Sequence, residues 1–427
     1  MPAISASEAD LAAKPSVPEL TGAGGLMPIS AWIAYGMGSS GYLLMIPTIG
    51  FAAYFHAEIA EGRADADSLW AAVVAISLAI AGIASPFLGA YADAARARRR
   101  MLLVFTALAC TFTATLSLMG AGDILIAALI FIGAHVAFML AKAIYDSYLL
   151  QLGSKKSLPL ISGAGWGLGY LGSIACFLLC LPFIRGGSET ADPATFRMAF
   201  LVTGLFFACL ALPAIVLLPA DNKSTAGPAN AYARIRDTMI GWREHREIFK
   251  FLLAFYLIND AIVTLLFFIG IYFQTTFGLT VEEILRLTLL FYAVGIPATV
   301  AFGWLGRKWS ERGALNLTLV IWLGLFALLA IGRGPSVPLT AVLVGGIVLG
   351  SSQALCRSIY ARMVPPERSA EFFGFNALVG RASAVLGPLT FGFVSAATGS
   401  QRPAIASLSI FILLGGLALA SVRLPRS

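Results

Sequence analysis

Residues Gln353 to Pro388 read QALCRSIYARMVPPERSAEFFGFNALVGRASAVLGP. The stretch begins deep in one apolar run, crosses the polar turn MVPPERSAE and ends deep in a second apolar run. Arg357 and Arg381 lie inside those runs. A charge in hydrocarbon is expensive, so an ionisable residue there is read first as part of a functional site. A faint copy of the stretch stands earlier in the chain. AKAIYDSY (Ala141–Tyr148) lies over CRSIYARM (Cys356–Met363), which sets Lys142 on Arg357 and Tyr145 on Tyr360. SGAGWGLGYLG (Ser162–Gly172) lies over FGFNALVGRAS (Phe373–Ser383), which sets Gly163 on Gly374 and Gly169 on Gly380. The shifts, 215 and 211 residues, are close to half of the 427-residue chain. Repeats of that size are a common plan for membrane transport proteins.

Composition points the same way. The chain is 59% hydrophobic and only 12% charged, more apolar than a water-soluble core requires. Apolar runs long enough to cross a bilayer recur twelve times, at about 29–55, 69–92, 101–120, 124–152, 161–184, 196–219, 248–274, 281–304, 314–332, 337–363, 371–397 and 402–422. Spanning segments of this kind must be helices, because each backbone group has to be satisfied within its own segment. The expected fold is an all-α membrane protein of twelve transmembrane helices in two pseudo-symmetric six-helix bundles. The expected boundaries are a disordered tail over 1–27, a first bundle over 28–219, a linker over 220–247, a second bundle over 248–423 and a tail over 424–427.

Orientation follows from Lys and Arg, which concentrate on the cytoplasmic side of membrane proteins. With both termini in the cytoplasm, 20 of the 29 fall on inner segments and 6 on outer loops, while Lys142, Arg357 and Arg381 lie within the membrane. The same bias accounts for the net charge of +7 as topology and not as a nucleic-acid surface. The first 27 residues lack a basic start followed by an apolar run, so no cleavable signal is expected. The five cysteines all fall within apolar runs; they read as small apolar residues, with no disulfide and no metal site expected. A bacterial inner membrane fits best.

Several residues stand out as machinery. Lys142 and Asp146 are four apart on one helical face and able to pair. Asp260, beside Asn259 and one turn before Thr264, sits about ten residues into the seventh run, near mid-bilayer at about 1.5 Å rise per residue. It is the leading candidate for a proton carrier or substrate ligand, and the alternative is a structural partner for one of the arginines. If Lys142, Arg357, Arg381, Asp146 and Asp260 all line one cavity, that cavity is net positive by one, which favours a solute with an anionic group.

GAYADAARARRR (Gly89–Arg100) resembles the loop signature of the major facilitator superfamily: a glycine, an acidic residue four later, then a basic cluster. That resemblance implies a gate in which Asp93 meets the helix start near Ala370–Gly374, where negative charge is favoured. Arg96 and Arg98 and the first-turn Glu371 belong to the same expected gate. GWLGRKWSER (Gly303–Arg312) echoes the loop with Arg307 in the place of Asp93, so Arg307 and Arg312 form a second, unequal arm.

The chain resembles more closely the autophagy-related, vacuolar-effluxer-like branch of that superfamily. The 353–388 stretch looks like its helix 10–11 block, with Gln353, Leu355, Arg357, Ser358, Pro365, Glu371, Phe372, Phe373, Gly374, Ser383, Gly387 and Pro388 matching. INDAIVT, with Asp260 and Thr264, looks like its helix-7 motif. Tyr145, Ser162, Gly163, Trp166, Gly169, Tyr170 and Gly172 match its helix 4–5 block. Gly36-Met37-Gly38-Ser39 stands where the branch often has an Asp-Trp-Ala-Asn motif, and Asp146 replaces its usual Asn. The resemblance implies a secondary transporter working by alternating access; proton coupling through Asp260 is a separate expectation. The substrate expected is a small solute with an anionic group, such as an amino acid or organic acid. The candidate site is Asp260, Arg381, Lys142, Arg357, Asp146, Asn259, Thr264, Tyr145 and Gln353. A multidrug or siderophore-type exporter is the nearest alternative, and a non-transporting sensor or scaffold the alternative of another class. No enzyme signature is present. No cofactor, metal or nucleic acid is expected; the partners are substrate and lipid, and the chain is expected to act as a monomer.

Overall fold

The computed structural model describes residues 25–61, 63, 65–184, 192–219 and 231–424. Among them are twelve helices long and apolar enough to cross a membrane. In chain order these are α1 (Leu26–Ile59), α2 (Ala66–Ala94), α3 (Arg98–Leu118), α4 (Ile124–Leu152), α5 (Leu158–Ile184), α6 (Pro193–Leu217), α7 (Arg246–Phe277), α8 (Glu282–Lys308), α9 (Glu311–Ile331), α10 (Ser336–Met363), α11 (Pro366–Thr398) and α12 (Gln401–Ser421). α1 begins at Leu26, inside the expected tail. The rest of that tail (1–24), residues 220–230 of the expected linker and residues 425–427 lie outside the described residues. A short linker helix, Ala231–Ile240, precedes α7. Six spans precede the linker helix and six follow it, so the start of α1, the linker and the end of α12 lie on one face, the linker side.

Large apolar side chains face outward around the bundle; Phe393, for example, is 76% exposed, as a surface solvated by lipid tails allows. Inside each half the small residues carry the packing, since there is little hydrophobic drive to pull one helix onto another in lipid and close backbone approach takes its place. α1 packs on α5 and α6, and α7 on α12. The YGMGSSGY face of α1 is a case of this. A side-chain carbon at Gly36 would meet the Tyr145 hydroxyl at 2.7 Å, and one at Gly165 of α5 would meet the Trp32 ring at 2.5 Å.

One pair of glycines that the repeat superimposes, Gly163 and Gly374, sits at equivalent seams between the halves. A side-chain carbon at Gly163 of α5 would lie 2.7 Å from the Thr299 carbonyl of α8, and one at Gly374 of α11 would run into the Ser85 carbonyl of α2. α2 packs along α11, and α5 along α8 and α10. These contacts gather in the linker-side half of the bundle.

Two spans are irregular. α1 carries wide turns at Leu44–Thr48, which contains Pro47, and at Phe55–Ile59. α11 breaks after Ala382 and resumes at Leu386.

Candidate functional site

A cavity of about 230 Å³ lies between the halves, walled by α4, α5, α7, α10 and α11. Lys142, Asp146, Arg357 and Arg381 line it together with Asn259 and Gln353. Asp146 accepts from the Lys142 ammonium at 2.5 and 2.6 Å and from Arg357 Nη1 at 2.9 Å. The residues that the repeat superimposes, Lys142 and Arg357, thus share one carboxylate across the seam. Arg357 is held further by Ser162, its Nε donating to Oγ at 3.0 Å and its Nη2 to the carbonyl at 2.9 Å. Its guanidinium lies 4.8 Å from the Trp32 ring centre and 5.9 Å from that of Trp166, within range of a cation–π attraction. Gln353 donates to Asn259 Oδ1 at 2.8 Å, and Asn259 donates to Ser383 Oγ at 2.7 Å.

Arg381 is different. Its Nη1 donates to Ser85 Oγ at 3.2 Å and its Nη2 to the Met139 carbonyl at 3.4 Å, and its Nε has no partner among the described residues. Both acceptors are neutral and both bonds are long. A guanidinium that faces a cavity with only neutral partners has no countercharge there, an arrangement that favours an incoming anion.

Below the cavity, on the linker side, the halves are closed over it. The Glu371 amide, in the first turn of the α11 segment Ser369–Ala382, donates to Asp93 Oδ2 at 2.9 Å. Arg98 stands 3.3 Å from Asp93 and donates to Ser369 Oγ at 2.7 Å. A carboxylate here satisfies an orphan helix N–H and meets the positive end of the helix dipole. The Glu371 carboxylate turns away to Arg368, at 2.7 Å, and to the Thr238 hydroxyl of the linker helix, at 2.5 Å. The linker helix is thereby tied to the closure.

Comparison with known proteins decides the class. The family described as "Vacuole effluxer Atg22 like" matches residues 55–159 and 151–427. The chain belongs to that family. An uncharacterized MFS-type transporter, YxiO, of Bacillus subtilis is 26% identical over 408 residues, covering 92% of this chain and 94% of that one. Autophagy-related protein 22-1 of Aspergillus niger is 24% identical over 282 residues, 60% of this chain and 45% of that protein, so the match spans under half the length of this fungal relative. Among solved structures, the human organic anion transporter MFSD10 superimposes with a TM-score of 0.72 at 16% identity, covering 92% of this chain and 98% of that one. The transporter FucP in its outward conformation gives 0.74 at 12% identity, covering 93% and 98%. This Atg22-like protein is therefore a major facilitator transporter, a multi-pass membrane protein and not an enzyme.

Several candidate residues of the transporter lie elsewhere than the sequence suggests. Asp260 is fully buried and does not line the cavity. Both of its oxygens accept from the Gly387 amide at 2.9 Å, so it caps the resumed half of α11. Gly387 permits the approach, since a side-chain carbon there would strike the Thr264 hydroxyl and crowd Asp260. Thr264 is buried at that same crossing. Tyr145 is stacked between Trp32, at 4.8 Å, and Tyr35, at 4.6 Å, and braces α4 rather than facing the cavity. Arg312 does not reach the seam. It donates to the carbonyls of Leu419 at 2.6 Å and Ala420 at 2.7 Å, capping the end of α12. Arg307 lies in the last turn of α8, where a cation suits the carbonyl end of the dipole. Arg96 is exposed just past α2, with φ of +48°.

Sequence reasoning missed Glu311, which is buried and accepts from Ser358 at 2.5 Å and Arg362 at 2.7 Å. It passed over Thr238, Ser85 and the cavity face of Trp166 as site residues. Glu311 stands one turn beyond Arg307 in the echoed loop, and an acidic residue in that repeat was the available signal.

The capping role of Asp260 gives a prediction. Asp260→Ala should destabilise the folded protein by about 0.5–2 kcal/mol, the usual range for a lost helix cap, read as a lower unfolding temperature in detergent. Substrate affinity of the folded fraction should stay as in wild type. An Asp260→Asn protein as stable as wild type but deaf to a pH gradient would return Asp260 to the transport pathway.

Proposed function

We propose that this transporter moves a small solute bearing a carboxylate or similar anionic group, such as an amino acid or organic acid, by alternating access between the two halves. One observation carries the reading: three cations and one carboxylate line the cavity, and Arg381 has only neutral partners there. With Asp260 set apart, the excess of positive charge is larger than the sequence suggests. The biased distribution of Lys and Arg supports a cytoplasmic linker side, and the bacterial relative supports the inner membrane. The closed linker-side gate then makes the present state one in which the cavity is sealed from the cytoplasm.

In the same reading Asp146 is the countercharge of the empty cavity, and an incoming carboxylate competes with it for Arg357 and Lys142. Asp146→Asn should therefore tighten carboxylate binding while lowering the unfolding temperature. Weaker carboxylate binding by a stably folded variant would remove Asp146 from that role.

The direct test is ligand-induced thermal stabilisation of the purified protein with panels of carboxylates, amines and neutral solutes of matched size. Stabilisation confined to carboxylates supports the reading. Stabilisation by amines, or equal stabilisation by neutral analogues, contradicts it and favours a drug-type exporter.

A further inference from the structure

A second chamber, of about 560 Å³, lies beyond the cationic cavity on the side away from the linker. It sits among α7, α8, α9 and α10, with Trp166 and Tyr170 of α5 and Thr48 of α1 on its remaining side. Its walls are apolar, with Ile262, Leu266, Phe291, Leu325 and Leu349 prominent. Trp166, Asn259 and Gln353 line both spaces, so the two are neighbours, with the hydrogen-bonded Gln353–Asn259 pair at their boundary. On α10 the change of character follows one helical face at four-residue steps: Gly345, Leu349, Gln353, Arg357. The first two line the apolar chamber, Gln353 stands at the junction and Arg357 lies in the cationic cavity.

The pseudo-symmetry of the fold does not demand this chamber. The equivalent helices of the first half, α1 and α4, fill the space between them with rings. Tyr42 stacks on Phe138 at 4.3 Å, Phe131 on His135 at 5.4 Å and Phe51 on Phe131 at 5.7 Å. The second half leaves room there, and the room is lined with apolar surface and borders the cavity that holds Arg381 and Arg357. Ligand sites are typically concave and apolar, with a few polar groups that fix orientation. A short amino acid or dicarboxylate would occupy the cationic cavity alone.

We infer that the substrate is an amphipathic organic anion, its carboxylate held at Arg381 and Arg357 and its aromatic or extended apolar body lodged in the α7–α10 chamber. The inference rests on the proposal that the cationic cavity is the anion site, and it narrows the substrate class. Gly345 then sets how long a body is accepted. A side-chain carbon there would meet nothing closer than Phe291 at 3.5 Å, so a larger side chain extends into the chamber.

The test is isothermal titration of the purified full-length protein with benzoate, phenylacetate, 3-phenylpropionate, 4-phenylbutyrate and 6-phenylhexanoate, with 6-phenylhexan-1-ol as the neutral control. Each methylene that enters the chamber should tighten binding about four-fold, and the series as a whole should gain at least ten-fold. Leu349→Asn and Gly345→Leu should each collapse the ratio of 6-phenylhexanoate to benzoate affinity. Affinity that is flat along the series overturns the inference and leaves the anion site standing. A gain with length that survives both variants also overturns it, because the body then lies elsewhere. Acids that fail to bind at every length, or an alcohol that binds as tightly as its acid, remove the anion site itself and the inference with it.

Discussion

Replacing Arg381 with glutamine should weaken substrate binding by about one to two orders of magnitude, cut transport with it and leave the protein at least as stable as wild type. The two effects run in opposite directions for one reason. In the resting cavity the guanidinium makes only long bonds to Ser85 and Met139, so the folded state bears the desolvation of a cation without a countercharge. Glutamine removes that burden. The bound carboxylate loses a charge-assisted hydrogen bond worth about 1.5–3 kcal/mol, which weakens binding roughly 10- to 150-fold. The measurement pairs an unfolding temperature with a binding titration. A fall in stability together with unchanged affinity would make Arg381 a structural residue. Arg357→Gln should behave otherwise, because Asp146, Ser162, Trp32 and Trp166 all hold that guanidinium, and stability should drop along with binding.

The second large effect is mechanical. Gly89→Val should stop turnover by preventing the linker side from closing. A side-chain carbon at Gly89 would collide with the Ala370 carbonyl and crowd the Glu371 amide at 2.8 Å. The obstacle is backbone, which cannot swing aside as a long side chain can. α2 and α11 would have to separate by more than an ångström, and the Asp93–Glu371 bond would break with them. The expected result is loss of transport with a cysteine placed at the gate, for example Ala370→Cys, becoming labelled by a membrane-impermeant maleimide from the linker side. Asp93→Asn should give a milder form of the same phenotype, since the amide oxygen still accepts the Glu371 N–H but the charge facing Arg98 is lost. Full transport by Gly89→Val, with no gain in labelling, would show that this contact does not limit closure.

The sequence shows depth in a membrane more readily than it shows direction. Twelve spans follow from length and apolarity, and the repeat locates the seam glycines Gly163 and Gly374 because close approach tolerates no other side chain. Arg357 and Arg381 are conspicuous because apolar sequence surrounds them. Asp260 is conspicuous for the same reason, yet its side chain points at Gly387 while Asn259, about 100° around the helix, faces the cavity. Which of two neighbours looks inward depends on the rotation of α7, and the uniformly apolar flanks of that helix do not fix it. Tyr145 is hidden for another reason, since a tyrosine one turn from a lysine fits a binding site and an aromatic stack equally well. The chamber beside α10 is not legible at all. It exists because the side chains of α7, α8 and α10 fail to fill a space that Tyr42, Phe138 and Phe207 fill in the other half, and packing density leaves no mark in a single sequence.

The most direct test of the cationic cavity as a carboxylate site is uptake of pooled, radiolabelled organic and amino acids into proteoliposomes, with wild type and Arg381→Gln compared side by side. Wild type should show saturable uptake that excess unlabelled carboxylate competes away and amines do not, and the variant at most about a tenth of it at the same low substrate concentration. Equal uptake by the two proteins, or competition by amines, would contradict it.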